Sequence, residues 1–168
     1  QKRVSEKLEM DSLTDHVTGV FNRRAWDTFL DLEEDRCKTY GHPTTVIMID
    51  LNDLKAINDK FGHSAGDQMI QKTAQILKKN VRSNDLVARL GGDEFGIINI
   101  ETTLENTQKL VNRLLKSLQN AGINAALGVA AREPSKNLRM AVIEADEKMY
   151  QHKRQLKSSF DDSIEQDV

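Results

Sequence analysis

The chain has little cysteine, no excess of one charge and no long apolar run, and each absence narrows the choice of protein class. Cys37 is its single cysteine, so no disulfide can form within the chain. Its 24 lysines and arginines against 26 aspartates and glutamates leave a formal net charge of -2. This balance provides no overall field that would draw the chain onto a nucleic acid polymer or a membrane surface. No apolar run approaches the roughly 18 residues of a membrane span. Since a signal peptide and an initiating Met are also missing, we expect a cytoplasmic piece of a longer protein.

The length of 168 residues suits one ordinary domain with a core of its own. Apolar periodicity and turn residues divide it into helices and strands. Helices are predicted around residues 22–40, 54–61, 69–81, 104–118 and 138–149, and strands at 44–49, 86–90, 95–100 and 123–131. After the first helix the order is therefore β-α-α-β-β-α-β-α. This order predicts a ferredoxin-like α/β (α+β) fold with an added helix, in which helices flank a palm-type, mixed or antiparallel central sheet.

The two ends of the chain differ in pattern from its middle. Residues 1–10 are charged, with apolar residues at helical spacing, and predict the end of a linker helix from an upstream module. Residues 158–168 are polar, acidic and aperiodic, which predicts a flexible polar tail. The functional domain is therefore expected within residues 11–157.

Acidic residues stand at two positions that a sheet could bring together. Asp50 ends an apolar strand, and Asp93-Glu94 follow Gly91-Gly92 in the turn of a predicted hairpin. Asp50 could equally cap the next helix, and such a turn is commonly an ordinary hairpin. If the strand pairs with the hairpin, however, the carboxylates converge and need a cation. Oxygen donors without a His or Cys cluster favour Mg²⁺ or Mn²⁺ over zinc.

Residues 89–95, Arg-Leu-Gly-Gly-Asp-Glu-Phe, carry the signature of the GGDEF domain, the catalytic domain of diguanylate cyclases. Three further motifs resemble this family in the same order, at 15–23, 50–67 and 145–153, so the resemblance covers nearly the whole chain. It implies an enzyme of bacterial second-messenger signalling that condenses two GTP into cyclic di-GMP and two pyrophosphate. Because a 3′-hydroxyl of one GTP must attack the α-phosphate of the other, it also implies a homodimer, controlled by an upstream sensory or regulatory domain.

The resemblance implies which residues serve the reaction. The implied metal ligands are Asp50, Asp93, Glu94 and the backbone carbonyl of Leu51, which would hold Mg²⁺ or Mn²⁺. Asp93 is implied as the proton acceptor for the attacking hydroxyl, with Glu94 in support. A carboxylate beside a divalent ion can perform this step at neutral pH.

Substrate contacts are implied at eight positions. Asn58 and Asp67 match the guanine-reading positions of the family, and an amide and a carboxylate suit the Watson-Crick edge of guanine. The others are Lys55, Lys153 and Lys157 for phosphates, His63 for a further contact, and Gly91 and Gly92 for close approach of the nucleotide. Taken alone, such lysines and histidines are more often surface or turn residues.

Arg82 and Asp85 form an Arg-x-x-Asp pattern before the glycine turn. At this spacing the resemblance implies a site where the product inhibits the enzyme, and Arg113 is a weaker candidate for the same site. A guanidinium and a carboxylate suit phosphate and guanine. The same pattern is also common by chance, and it is then usually a surface ion pair.

Several positions depart from the family pattern, and none of them removes an implied metal ligand. The departures are Asn52, Leu54, Ala126 and Leu156-Lys157, of which the last pair replaces Gly-Arg. Lysine offers one ammonium where arginine offers a fork, so Lys157 predicts weaker triphosphate binding. The alternatives are a catalytically weak or inactive domain that serves as a cyclic di-GMP or GTP receptor, and a cyclase of relaxed base selectivity.

Overall fold

Six helices and four strands make up residues 2–166, the part of the chain that this computed structural model describes. The helices are α1 (Lys2–Leu13), α2 (Arg23–Tyr40), α3 (Leu54–Phe61), α4 (His63–Asn80), α5 (Leu104–Asn120) and α6 (Leu138–Gln166). The strands are β1 (Thr44–Leu51), β2 (Leu86–Arg89), β3 (Glu94–Ile100) and β4 (Ala125–Ala131). Each element that the sequence predicts between residues 22 and 149 is present, with shifts at some boundaries.

The four strands form one antiparallel sheet in the order β2-β3-β1-β4. The ferredoxin-like architecture is therefore confirmed, and its sheet is antiparallel rather than mixed. The long strand β1 lies between β3 and β4, which places Asp50 opposite Glu94 on one side and Ala126 on the other. This register sets the end of β1 beside the glycine turn.

Helices cover both faces of the sheet. Ile47 and Ile49 of β1 pack into the core that includes residues of α4 and α5, whereas Val46 and Met48 pack into the core with α2 and α6. Because neither face meets water, β1 has a continuous apolar sequence instead of an alternating one. Asp50 interrupts that run near the margin of the sheet.

α2 buries a face that apolar spacing only partly identifies. Phe29 and Leu32 recur at helical spacing but are 37% and 55% exposed. Trp26, Leu30 and Glu33 are buried instead, at the i, i+4 and i+7 spacing of one helix face. Hydrophobic periodicity misses this face because it includes the charged Glu33, which depends on partners outside the helix, His42 and Thr44, as well as on Cys37 within it.

α6 lies directly against β4. A side chain added at Gly128 would come within 2.0 Å of the Ala145 carbonyl oxygen and 2.2 Å of the Met149 nitrogen, so the two backbones are in contact. This contact fixes which face of α6 passes the end of β1.

α6 is also longer than predicted. It continues to Gln166, so the segment from residue 158 is helical where the sequence predicts a flexible tail. No glycine or proline between residues 150 and 166 ends the helix, and an exposed helix needs no apolar face. Residues 167–168 of the predicted tail lie outside the described residues.

The predicted linker at the start of the chain is helical from residue 2, as part of α1, and residue 1 lies outside the described range. Of the helices described, none combines the length and the hydropathy needed to cross a membrane.

Candidate active site

The acidic residues meet where β1 ends and β3 begins. Asp50 lies opposite Glu94 in the strand register, and the Leu51 N–H donates to the Asp93 carbonyl oxygen at 2.8 Å. This hydrogen bond joins the glycine turn to the end of β1. The four predicted metal ligands thus come from the end of β1, the glycine turn and the start of β3, and we call this group, Asp50, Leu51, Asp93 and Glu94, the acidic edge.

Asp50 is mostly buried and only partly neutralised. Its Oδ2 accepts a hydrogen bond from Lys153 Nζ of α6 at 2.9 Å. Its Oδ1 is buried and has no hydrogen-bond partner among the described residues. Burial raises the pKa of Asp50 despite this ion pair, and the charges of Asp93 and Asp146 raise it further. A buried carboxylate oxygen without a partner destabilises the fold unless a ligand from outside the chain satisfies it.

Glu94 shares this environment. Burial raises its pKa, and the charges of Asp146 and Asp50 add to the shift, while Arg23 opposes it. Asp146 is a residue for which sequence reasoning predicts no role. It lies seven residues before Lys153, two turns along one face of α6, so helical spacing was the signal that could have found it.

The donor set of the acidic edge suits a hard divalent cation. Carboxylate oxygens and a backbone carbonyl are the ligands that Mg²⁺ and Mn²⁺ prefer. A positive ion would satisfy the unpartnered Oδ1 of Asp50 and relieve the repulsion among Asp50, Asp93 and Glu94. These residues therefore fit the metal that the family resemblance implies.

Arg89 holds the glycine turn in shape. It donates to the carbonyl oxygens of Gly91 at 3.2 Å and Gly92 at 2.8 Å, and it forms an ion pair with Asp15 at 3.3 Å. Asp15 in turn accepts from the N–H and the hydroxyl of Thr18 at 3.0 and 2.7 Å. The motif at 15–23 therefore supports the turn, a link between distant segments that sequence spacing does not show.

Gly91 and Gly92 leave open backbone beside the acidic edge. Neither glycine has a positive φ. A side chain at Gly92 would meet no atom within 4 Å, and one at Gly91 would make only ordinary contact with Glu94, at 3.7 Å. The fold itself therefore does not require glycine at either position, and the free space fits the predicted approach of a nucleotide.

α3 and α4 carry the predicted base-reading residues directly after β1. Gly62, with φ at 89°, joins the two helices. Asn58 of α3 lies so close to Gly66 of α4 that a side chain there would come within 1.8 Å of its Oδ1. This Oδ1 is buried and has no hydrogen-bond partner in the part of the chain that the structure describes. Asp67 follows Gly66 and is exposed, so the close helix pair brings Asn58 near Asp67.

The predicted phosphate contacts come from different elements. Lys55 and His63 are exposed near the starts of α3 and α4, and Lys153 and Lys157 lie one turn apart on α6. Lys153 reaches the acidic edge through its ion pair with Asp50, and Lys157 is exposed. The i, i+4 spacing puts both ammonium groups on the same face of α6.

The Arg-x-x-Asp pair lies near the other end of β3, away from the acidic edge. Arg82 forms an ion pair with Asp85 at 3.3 Å and donates to the Ile100 carbonyl and the Thr102 hydroxyl. Asp85 also accepts the N–H of Ile100 at 3.1 Å. The pair therefore fastens the connection between α4 and β2 to the end of β3.

Arg113 is hydrogen-bonded to Asn80, although the sequence predicts that it joins Arg82 and Asp85. It donates to the side chain of Asn80 at 3.1 Å and to the Asn80 carbonyl at 2.7 Å, at the end of α4. A groove of about 330 Å³ lies beside Arg82, with Asp85 and Lys78 in its lining.

The chain is similar to one protein family over most of its length. A family model described as "Diguanylate cyclase, GGDEF domain" matches residues 12–159. The chain is 37% identical over 112 residues to the probable diguanylate cyclase DgcC of Escherichia coli K12, covering 67% of this chain and 30% of DgcC. It is 31% identical over 165 residues to the response regulator PleD of Caulobacter vibrioides strain NA1000, covering 91% of this chain and 36% of PleD. The chain thus spans only about a third of the length of these two relatives.

Solved structures share the fold. The coiled coil and GGDEF domain of DgcB from Caulobacter crescentus, in complex with c-di-GMP, has a TM-score of 0.86 at 23% identity, covering 91% of this chain and 86% of that one. A microbial GGDEF domain described for its interaction mode with cyclic di-GMP has a TM-score of 0.82 at 28% identity, covering 88% and 94%. These matches agree with the predicted architecture.

Proposed function

The chain belongs to the GGDEF domain family, and from this membership we propose that it is a diguanylate cyclase domain, which condenses two GTP into cyclic di-GMP and two pyrophosphate. The observation that carries the proposal is the acidic edge. There Asp50, Asp93 and Glu94 converge, and one buried oxygen of Asp50 has no partner among the described residues. This arrangement lowers the stability of the metal-free fold, because like charges lie close together and a buried oxygen has no partner. Proteins commonly give up stability in this way at sites that bind ligands or catalyse reactions.

The reaction joins the two nucleotides twice. The 3′-oxygen of one GTP bonds to the α-phosphorus of the other, and the bond from that phosphorus to the oxygen bridging to the β-phosphate breaks. The hydroxyl proton passes to a base and pyrophosphate leaves, and the second GTP then reacts in the same way. Asp93 is the proposed base because it lies at the acidic edge, where a hydrogen bond from the Leu51 N–H holds its backbone in place. Glu94 supports the same site.

Mg²⁺ or Mn²⁺ would be held by the carboxylates of Asp50, Asp93 and Glu94 and by the carbonyl of Leu51. When bound, the ion neutralises triphosphate charge and makes the attacking hydroxyl easier to deprotonate. The chain's own contribution is to fix these oxygens on two hydrogen-bonded strands, partly shielded from water, before substrate arrives.

Lys153 is the proposed phosphate contact nearest the acidic edge. Its side chain is 40% exposed while it pairs with Asp50, so its ammonium can turn toward a phosphate without leaving the site. Lys157 on the same face of α6 and Lys55 on α3 add positive charge. Because Lys157 offers a single ammonium, we expect it to hold phosphate more weakly than an arginine fork would.

Asn58 and Asp67 are proposed to read guanine. The exposed carboxylate of Asp67 can accept from the N1–H and N2–H donors of guanine, and an amide offers both a donor and an acceptor. Adenine presents an acceptor at N1, which a carboxylate would repel. His63, at the start of α4, is proposed as a further nucleotide contact.

Catalysis by this route needs two copies of the domain. Each holds one GTP, and two acidic edges must face each other about a two-fold axis so that each 3′-hydroxyl reaches the other α-phosphate. The chain spans about a third of DgcC and PleD, and PleD is named a response regulator. We therefore expect an upstream sensory or regulatory domain to control this approach.

Arg82 and Asp85 are proposed to bind the product and inhibit the enzyme. The Arg82 side chain is 55% exposed, so donors remain available while it pairs with Asp85, and the groove of about 330 Å³ lies beside it. A related GGDEF domain is described for its interaction with cyclic di-GMP. Arg113 is a weaker proposed member of this site, because Asn80 already holds its guanidinium.

The test is to incubate the purified domain with GTP and Mg²⁺ or Mn²⁺ and to identify the nucleotides by liquid chromatography with mass detection. We expect cyclic di-GMP and pyrophosphate in a ratio of one to two. Asp93→Ala removes the proton acceptor and a metal ligand, so its rate should fall by about 10²–10⁴-fold while its circular dichroism is unchanged.

Asp35→Ala, on the exposed face of α2, is the matched control and should keep the wild-type rate. Unchanged GTP at every protein concentration, together with binding of cyclic di-GMP, would replace the cyclase with a receptor. Mixed cyclic dinucleotides formed in the presence of ATP would indicate relaxed base selectivity.

A further inference from the structure

A second group of metal-binding side chains lies where α2 ends and β1 begins, at the opposite end of β1 from the acidic edge. One ligand atom from each of Glu33, Cys37 and His42 lies within 4.8 Å of the other two. We propose that these three residues bind a transition-metal ion of the zinc class, separate from the metal of the acidic edge. The proposal does not depend on cyclase activity.

The local sequence explains how the three side chains meet. Glu33 and Cys37 are four residues apart and therefore neighbours on one face of α2. Gly41 then ends the helix with φ at 70°, in the left-handed region, and its N–H donates to the Cys37 carbonyl at 2.8 Å. This reversal brings His42 back onto the face that carries the other two ligands.

The distances are close to those of a coordinated ion. Cys37 Sγ lies 3.7 Å from Glu33 Oε1, and His42 Nε2 lies 2.8 Å from the same oxygen. Zinc bonds of about 2.0–2.3 Å in tetrahedral geometry place such donor atoms about 3.2–3.8 Å apart. The sulfur and the carboxylate already have this separation. The imidazole lies closer to the carboxylate than this range, so it must rotate away from that oxygen for an ion to enter.

Burial distinguishes this cluster from a chance grouping on the surface. Cys37 is 2% exposed and Glu33 4% exposed. Metal binding would displace the proton of the Cys37 thiol. A thiolate and a carboxylate together match the charge of a divalent ion. Glu33 Oε1 contacts the His42 imidazole, the Thr44 hydroxyl and the Cys37 thiol, so the donor atoms already meet at one buried carboxylate oxygen.

Two surrounding contacts support the ligands. His42 Nδ1 lies 4.0 Å from Glu101 Oε1, so a small movement would let this carboxylate accept a hydrogen bond that orients the imidazole. Thr44 donates to Glu33 Oε1 at 3.0 Å and lies 3.2 Å from Cys37 Sγ. Because Thr44 begins β1, an ion here would fasten the end of α2 to the central strand.

The donor types determine which ion is expected. Sulfur, imidazole nitrogen and one carboxylate oxygen favour Zn²⁺ and Co²⁺ over Mg²⁺, whereas the acidic edge offers oxygen alone. Three protein ligands leave a fourth position for water. The two ends of β1 would therefore hold metals of different classes.

Titration of the metal-free domain with Co²⁺ tests the proposal. Since Cys37 is the single cysteine of the chain, a thiolate-to-cobalt charge-transfer band in the near ultraviolet can arise only from this cluster, and the acidic edge cannot produce it. We expect the band to saturate at one Co²⁺ per chain and to disappear when Zn²⁺ is added. Cys37→Ser should abolish it, and His42→Gln should weaken Co²⁺ binding by at least about tenfold.

His16→Gln, at an exposed histidine outside the cluster, is the matched control and should bind Co²⁺ like the wild type. Circular dichroism establishes that each variant is folded, and Zn²⁺ should raise the melting temperature of the wild type but not of Cys37→Ser. The proposal is overturned if the wild type shows no charge-transfer band in excess Co²⁺. It is equally overturned if His42→Gln binds Co²⁺ as tightly as the wild type.

Discussion

At the scale of one residue, Glu94 shows that the acidic edge lowers the stability of the metal-free fold. Burial, followed by the charges of Asp146 and Asp50, raises its pKa above the ordinary value of 4.5. A raised carboxyl pKa means that the folded chain holds the proton more tightly than the unfolded chain. Stability is therefore greatest when Glu94 is protonated and is lost as the pH rises from 4.5 through the folded pKa.

We therefore expect Glu94→Gln to raise the melting temperature of the metal-free domain at pH 7, because the amide removes a charge that burial and repulsion disfavour. Each kcal/mol relieved corresponds to about 2–4 °C for a chain of this size. The advantage should shrink as the pH approaches 4.5, where Glu94 itself becomes protonated. Thermal unfolding in the presence of a chelator, followed at both pH values, measures this difference.

Glu147→Gln makes the same change on the exposed surface of α6 and should alter the unfolding free energy by less than about 0.5 kcal/mol. A lower melting temperature for Glu94→Gln at pH 7 would show that Glu94 stabilises the fold, which contradicts the argument.

At the scale of secondary-structure elements, the Arg82–Asp85 pair has a structural role in addition to the proposed inhibitory one. It joins the connection between α4 and β2 to the end of β3 through Ile100 and Thr102. For a variant at this position, both the free energy of unfolding and the inhibition by product must therefore be measured.

Arg82→Ala should weaken inhibition by cyclic di-GMP by at least about tenfold, because it removes charge-assisted hydrogen bonds worth about 1.5–3 kcal/mol. It should also lower the free energy of unfolding by about 0.5–1.5 kcal/mol, since Asp85 and the Ile100 carbonyl each lose one donor and keep another. Product inhibition curves and urea unfolding measure the two effects separately.

Ser83→Ala, on the exposed neighbour in the same connection, should change neither quantity. If Arg82→Ala loses stability but remains inhibited by product as strongly as the wild type, the role of Arg82 is structural only.

At the scale of the whole molecule, the proposed reaction requires two copies of the domain to come together before either is active. One acidic edge can hold one GTP, but bond formation needs the α-phosphate in a second copy. Specific activity should therefore rise with protein concentration over about a hundredfold range, as the fraction of dimer rises. A dimeric coiled coil fused in front of α1 should remove this dependence by raising the effective concentration. Equal specific activity at every dilution of the unfused domain would contradict the proposed transient dimer.

The sequence by itself determined the elements and most of the acidic edge. Apolar periodicity locates the helices and strands because each element must turn one face or two faces toward a core. The β-α-α-β-β-α-β-α order predicted the ferredoxin-like sheet, and the resemblance identified Asp50, Asp93 and Glu94. These features are encoded over short stretches of chain, so local periodicity locates the elements and the family motifs identify the acidic residues.

The tertiary structure alone decided which distant side chains meet. Asp146 acts on Asp50 and Glu94 because α6 packs backbone to backbone on β4. Arg89 reaches Asp15 across 74 positions of the chain. Such meetings depend on strand register and helix packing, which local periodicity does not record.

The same reason explains why a chain without an evident His or Cys cluster in its sequence still assembles Glu33, Cys37 and His42. Hydrophobic periodicity assigns a charged Glu33 to the outside of α2, and the length of the connection after the helix does not show which way it turns. The fold buries Glu33 because the reversal at Gly41 and the first residue of β1, Thr44, bring polar partners to it. Burial of a charged group depends on partners, and the partners are placed by packing of the whole domain.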